Sequence, residues 1–194
     1  YENTDIEPEI IEQTPLSLSF EKENDDVISL LLSNPTIDVH QDNALSKVIK
    51  IGNVDIYNKL LSQTGYDEKE FNSALHNAVE SGNIDMVKTI LNRPEIDVNG
   101  VLNGKTAIQI AASKGNLEIF NYLLHHPNFD IMHEHCGQKA LNEAAEKGNF
   151  DIFKILLEKP EIDINYRSET GFTVLHHAVR GLNIDIVNLL LERP

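Results

Sequence analysis

The sequence predicts an all-α fold, a solenoid of about six stacked helix–turn–helix units with short turn-forming fingers between them. Three observations predict it: a motif centred on asparagine recurs along the chain, apolar stripes of helical spacing flank each copy, and a proline follows most of the second stripes. One such unit cannot bury its own apolar face, so several must stack to form a continuous core.

The asparagine motif sets the period of the repeats. Its copies occupy residues 23–27, 52–56, 82–86, 115–119, 148–152 and 182–186. Successive asparagines lie 29, 30, 33, 33 and 34 residues apart, and the first copy is degenerate. Six copies in register predict repeated units over nearly the whole chain.

Each copy of the motif is a corner between two predicted helices. An apolar i, i+3, i+4 pattern precedes it, as at Ala140, Leu141 and Ala144, and a second apolar stripe follows it, as at Ile152 and Leu156. The corner glycine supplies the left-handed backbone that ends the first helix, and the asparagine and acid after it suit the start of the second. Prolines then end the second helices, namely Pro35, Pro94, Pro127, Pro160 and Pro194.

Short fingers are predicted after the first four of these prolines. Each carries an apolar–acid–apolar alternation, which favours an extended, turn-forming element with one packed side and one wet side. These elements lie at 37–39, 96–98, 129–131 and 162–164.

The predicted first helices open with runs similar to Thr-Pro-Leu-His-x-Ala-Ala, the hallmark of ankyrin repeats. The matching runs lie at 14–17, 73–76, 106–112 and 173–178, with weaker matches at 43–46 and 139–142. The chain therefore resembles the ankyrin-repeat family from about residue 12 onward. We expect an acidic lead-in at 1–12 and an ankyrin-repeat domain at 13–194, open at its C-terminal end, with repeats starting near 14, 43, 73, 106, 139 and 173.

The chain departs from the family pattern in three places. Pro-x-Ile-Asp replaces the usual Gly-Ala finger, and Leu182 stands where the last corner glycine is expected. Residues 63–66 lack the proline, and the first two intervals are short. We expect a strained or remodelled corner at Leu182, and shortened fingers with irregular stacking near the N-terminus.

The resemblance implies a cupped solenoid that binds a partner protein on the concave face formed by fingers and first helices. The matching exposed positions are Lys69, Glu70, Asn72, Glu80, Ser81, Leu102, Asn103, Lys105, Ser113, Lys114, His135, Gln138, Glu146, Lys147, Glu169, Thr170, Phe172 and Arg180. Leu102 and Phe172 are the expected apolar anchors, because a large exposed side chain on a binding face often marks a contact. The alternative is that each simply packs against the neighbouring finger.

The charge and composition of the chain limit the classes of partner that it can bind and the compartment in which it is expected. The net charge of −15 disfavours nucleic acid and anionic membranes, which require a basic patch, and favours a protein with a basic or neutral surface. No apolar run reaches the roughly 18 residues of a membrane span. The single cysteine, Cys136, excludes an internal disulfide framework and indicates an intracellular, cytoplasmic location.

Signs of catalysis or cofactor binding are weak. His125, His126, His133, His135 and Cys136 are of ligand types that zinc uses, but their spacing matches no zinc module, and no native metal is predicted. The family's first-helix histidine is matched by His76 and His176, which are expected to tie adjacent helix starts together. No phosphate loop or nucleophile elbow is present, so no cofactor and no catalytic residue is predicted.

The leading hypothesis is therefore a non-enzymatic protein-interaction module. The alternative is a regulatory or targeting ankyrin region of a larger enzyme or channel whose active part lies outside this sequence, because the sequence reads as part of a longer chain. An enzyme in its own right is the least favoured reading. An uncovered last repeat is also predicted to self-associate, through Leu182, Ile186, Val187, Leu190 and Leu191.

Overall fold

The computed structural model describes residues 14–40, 43–62 and 68–192, apart from the side chains of residues 68, 69 and 72. The predicted lead-in at 1–12 lies outside these residues. The chain divides into two compact units, residues 1–65 and 66–194.

Within its described residues, the first unit contains two helical hairpins. Its helices are α1 (Pro15–Glu21), α2 (Asp25–Leu31), α3 (Ala44–Ile51) and α4 (Val54–Leu61). Pro15 occupies the first turn of α1, where its missing amide costs no hydrogen bond, and Thr14 caps that helix by accepting from the Ser17 amide. Apolar side chains of both hairpins form the core, including the fully buried Ile28 and Tyr57.

The part of the second unit that the structure describes, residues 68–192, contains four helical hairpins. Its elements are α5 (Glu68–Ser81), α6 (Ile84–Leu91), β1 (Val101–Leu102), β2 (Lys105–Thr106), α7 (Ala107–Lys114), α8 (Leu117–Leu124), a 3₁₀ turn (His133–His135), α9 (Cys136–Lys147), α10 (Phe150–Leu157), α11 (Val174–Arg180) and α12 (Ile184–Leu191). The first helices α5, α7, α9 and α11 are successive neighbours, as are the second helices α6, α8 and α10. The predicted all-α repeat fold is confirmed.

The corners have the predicted backbone. Gly52, Gly82, Gly115 and Gly148 all adopt left-handed φ angles between +73° and +80°. At the last corner Leu182 itself takes a φ of +58°, so the strain expected there is present in the backbone.

The corner asparagines divide into two groups. Asn24, Asn53, Asn83 and Asn116 accept hydrogen bonds from amides of the second helix, as a helix cap does. The capping role is wrong for Asn149 and Asn183. The Nδ2 of Asn149 instead donates to Ala112 O (2.7 Å) and Ser113 O (3.1 Å), and Asn183 donates likewise to the carbonyls of residues 145 and 146.

The fingers keep the predicted alternation but not the extended conformation. Ile96 and Val98 are buried while Asp97 is exposed, and the Asp97 carboxylate accepts from the Asn99 amide (2.9 Å). This side-chain turn recurs at residues 38, 130 and 163. Among the described residues, only 101–106 forms a strand pair, joined by Asn103 and Gly104, which both have positive φ as a tight hairpin turn requires.

The last hairpin leaves apolar side chains exposed. Leu182, Ile184 and Leu191 are 83%, 72% and 66% exposed, whereas Ile186 is buried, which corrects its place in the predicted open surface. Within the described ranges, no helix has the length and apolar character needed to cross a membrane.

Candidate functional site

An open groove of roughly 430 Å³ lies across three first helices of the second unit. The β1–β2 hairpin and α7 form one side, α9 forms the floor, and α11 with the finger before it forms the other side. Its lining residues are Gly104, Lys105, Gln109, Lys139, Asn142, Glu143, Glu146, Ser168, Thr170, Phe172, His177 and Arg180.

Five of the predicted contact residues meet in this groove, although they come from three different repeats. They are Lys105, Glu146, Thr170, Phe172 and Arg180. The finger that carries Thr170 and Phe172 is closed by its own backbone, since the Ser168 amide donates to Phe172 O (2.9 Å) and the Gly171 amide donates to Ser168 O (2.7 Å).

Glu143, on α9, ties the floor of the groove to its α7 side. Its carboxylate accepts from Lys105 Nζ (2.6 Å) and from Ser113 Oγ (2.8 Å), so three side chains from two repeats are held together. Ser113, a predicted contact residue, therefore helps to position Glu143 but does not itself line the groove.

Glu146, also on α9, ties the floor of the groove to its α11 side. Its carboxylate accepts from Arg180 and, at 3.1 Å, from His177 Nδ1. The Arg180 hydrogen bond, followed by the one from His177, holds the pKa of Glu146 below its ordinary value, and the same contact raises the pKa of Arg180. Glu146 is therefore ionised at neutral pH and links α9 to α11.

Phe172 packs against α11, and none of its ring contacts is with a neighbouring finger among the described residues. Its ring stacks on His176 (centroids 5.1 Å apart), and the Arg180 guanidinium lies 5.8 Å from the ring centre. The side chain is still 37% exposed at the groove. Phe172 is thus packed against α11, the helix that follows it, and its exposed part faces the groove.

The other predicted contact residues with described side chains do not line the groove. Glu80 pairs with Lys114 (2.5 Å), and the His135 ring lies near Tyr166 (5.5 Å). Ser81, Asn103, Lys147 and Glu169 are exposed, whereas Glu70 and Leu102 are half-buried. The side chains of Lys69 and Asn72 lie outside the described residues.

The exposure expected for Gln138 is wrong. Gln138 is only 7% exposed, and its Nε2 has no hydrogen-bond partner among the described residues. The cause is local, because α9 begins at Cys136, whereas α7 begins four residues later in its repeat. Position 138 therefore lies inside a helix packed on both sides and not in a finger.

A row of equivalent side chains crosses the first helices at His76, Gln109, Asn142 and His176. His76 Nε2 donates to Lys105 O of the next repeat (2.8 Å), as predicted for a tie between neighbours. His176 does not fulfil that prediction: its Nδ1 accepts from the Thr173 amide (3.2 Å) and caps its own helix. Gln109 Oε1 makes the same local bond to the Thr106 amide (3.0 Å).

Asn142 is the exception in this row. It is 8% exposed, it lines the groove, and its Oδ1 has no hydrogen-bond partner in the described structure. Sequence reasoning missed Lys139, Asn142, Glu143 and His177 because it selected only finger tips and helix ends. The 33-residue register of Asn142 with Gln109 was the signal that could have found it.

The histidine–cysteine cluster does not assemble. His125 Nδ1 donates to Asn121 O (2.8 Å), and the Asn128 amide donates to His126 Nδ1 (3.3 Å). The Cys136 thiol is buried, and that burial is the main cause that raises its pKa to about 11. Among the described residues, no group of three or more His, Cys, Asp or Glu side chains is placed to hold a metal ion.

Comparison with protein families identifies the repeats. A family model described as "Ankyrin repeats (3 copies)" matches residues 45–135 and 127–194. The search of curated proteins found no significant match.

Proposed function

The chain belongs to the ankyrin-repeat family, and from this premise we propose that it binds a partner protein in the groove formed by α7, α9, α11 and the finger at 168–172. Ankyrin repeats are generally protein–protein interaction modules, and the family is typically non-enzymatic. A stacked array offers an extended, pre-formed surface, so little conformational entropy is lost on association.

The observation that carries this proposal is the convergence of separate repeats on one groove. Lys105, Glu146 and Phe172 lie on different repeats, yet they line the same cavity. Most of the polar groups in its walls are already paired with one another, as in the Lys105–Glu143 and Arg180–Glu146 contacts, so the walls are fixed before a partner arrives.

The charge of the chain supports a partner whose surface as a whole is basic or neutral. At a net charge of −15 the protein repels acidic surfaces at long range and attracts basic ones.

The lone, buried Cys136 thiol fits a protein of a reducing intracellular compartment.

Photo-crosslinking followed by direct binding tests the proposal. A photoreactive amino acid is placed at Thr170 inside the groove, and in a parallel protein at Asn188, an exposed residue of α12 outside it. Proteins crosslinked from position 170 and not from 188 are identified, purified and titrated against Thr170→Arg and Asn188→Arg variants.

We expect Thr170→Arg to raise the Kd of the purified partner at least tenfold, because a long charged side chain would fill the groove. Asn188→Arg adds the same charge elsewhere and should leave the affinity unchanged. Equal crosslinking from both positions, or wild-type affinity in Thr170→Arg, would show that the partner uses another surface.

A further inference from the structure

We propose that the groove holds an extended peptide segment of the partner, whose backbone pairs with the Asn142 carboxamide and whose carboxylate side chain pairs with Lys139. This inference rests on the proposed function, because it names the chemistry of what occupies the same groove. It depends on two observations in the described structure, the unpaired Oδ1 of Asn142 and the unpaired charge of Lys139.

Asn142 has lost the structural task that its equivalents perform. Gln109 and His176 bond the amide of the threonine three residues before them, at 3.0 and 3.2 Å. In the fifth repeat that position is Lys139, which lies within α9 and not at its N-cap, so its amide is not a helix-end group that needs a side-chain partner. Asparagine is also one methylene shorter than glutamine.

The result is a buried carboxamide with an unsatisfied acceptor beside an open groove. A polar group in this state is destabilising unless a partner satisfies it. A carboxamide presents an acceptor and donors side by side, the same arrangement that a peptide group offers in reverse. An extended backbone can therefore pair with Asn142 through its own N–H and C=O groups, which a helical segment has already used internally.

The charges of the groove favour a carboxylate on that segment. Both lining carboxylates are already paired, Glu143 with Lys105 (2.6 Å) and Glu146 with Arg180. Lys139 is exposed and forms no ion pair with any described residue. A peptide carboxylate would supply the missing partner, whereas a peptide lysine or arginine at this point would meet a like charge.

The two groups have the spacing that one peptide can span. Residues 139 and 142 are three apart on α9 and so lie on the same helix face, with Cβ atoms about 5–6 Å apart. A peptide in extended conformation advances about 3.3 Å per residue, so a backbone group and the carboxylate of the next or second-next residue reach both.

A single carboxylate is compatible with a partner that is basic or neutral overall. The charge of −15 acts through solvent and is screened beyond about 8 Å at physiological ionic strength. Lys139 acts at contact distance inside the groove, where screening is weaker. Long-range attraction and local recognition can therefore have opposite signs.

The probe is a library of random linear peptides selected on the whole 194-residue chain. Selected peptides are synthesised, and their Kd values are measured against the wild type, Asn142→Leu, Lys139→Gln and the control Lys159→Gln, a lysine outside the groove. Each peptide is also made with its carboxylate changed to the amide and, separately, with single backbone nitrogens methylated.

We expect selection of peptides rich in Asp or Glu, and at least tenfold weaker binding to Asn142→Leu and to Lys139→Gln but not to Lys159→Gln. Lys139→Gln should have no further effect once the peptide carboxylate is an amide. Methylation at one backbone nitrogen should abolish the Asn142 dependence. The melting temperature of Asn142→Leu should equal or exceed that of the wild type, since the substitution removes only an unpaired polar group of similar size.

Selection of basic peptides, or affinities that do not respond to Asn142→Leu, would overturn the inference. Failure to select any linear peptide would also overturn it. In each of these cases the Thr170→Arg result on the crosslinked partner still decides the proposed function. If Asn142→Leu simply unfolds, Lys139→Gln with the amide peptide decides the carboxylate pairing, and N-methylation decides the backbone pairing.

Discussion

Alanine at two corner glycines should separate local backbone strain from coupling between repeats. Gly82 and Gly115 have nearly the same left-handed φ, +76° and +73°. A Cβ on Gly82 would meet only Asn116 Nδ2 at 3.5 Å, an ordinary contact, whereas a Cβ on Gly115 would lie 2.5 Å from Asn149 Oδ1 and 2.9 Å from its Cγ. The two substitutions therefore share the strain and differ in the collision.

The magnitudes follow from this geometry. Placing alanine in a left-handed conformation costs about 1–2 kcal/mol at either site. Gly115→Ala must also displace the Asn149 side chain, which donates to Ala112 O and Ser113 O. Each hydrogen bond contributes a net of about 0.5–1.5 kcal/mol, so about 1–3 kcal/mol is added. We expect losses of about 1–2 kcal/mol for Gly82→Ala and about 2–5 kcal/mol for Gly115→Ala.

Equilibrium urea unfolding followed by circular dichroism measures both losses. A third comparison isolates the coupling: in an Asn149→Ala background, Gly115→Ala should cost no more than Gly82→Ala, because nothing is left to displace. Equal losses for the two glycine variants in the wild-type background would refute the proposed coupling of repeats through Asn149.

Three further outcomes are expected. Leu182→Gly should raise the free energy of unfolding by up to about 1 kcal/mol, because glycine relieves the strain of the left-handed φ. Little packing is lost, since the Leu182 side chain is 83% exposed. A lower free energy of unfolding would contradict this prediction. Glu146→Gln should lower the free energy of unfolding at pH 7, and the difference from the wild type should shrink as the pH falls below 4.5, the ordinary pKa of a glutamate. The reason is that a lowered pKa stabilises the folded state only at pH values where the carboxyl group is ionised in both the folded and the unfolded state. A difference in the free energy of unfolding that did not change with pH would count against the Arg180 contact. The exposed end of α12 should cause self-association, and Leu191→Lys should reduce it. Sedimentation velocity over a range of protein concentrations measures the association. A wild-type protein that stays monomeric at every concentration would contradict the prediction.

The sequence by itself determined the period, the helix pairs and the conformation of each corner. These features depend on residues close together in the chain. A corner glycine adopts positive φ because it has no Cβ, and a proline three residues after α6, α8 and α10 follows each helix end. The strained corner at Leu182 could also be predicted from the sequence, because the repeat places Leu182 at the corner position that glycine occupies in the preceding repeats.

Only the tertiary structure decided how chemically similar residues divide into different roles. Asn116 caps its own helix while Asn149 bonds the preceding repeat, and both occupy the same place in the motif. Gln109 is satisfied while Asn142 is not, because Thr106 lies at the N-cap of α7, whereas the equivalent Lys139 lies inside α9. These outcomes depend on atoms about thirty or more residues away in the chain, or on the residue at which a helix begins. A repeat pattern shows neither, because it records only which residues recur at equivalent positions.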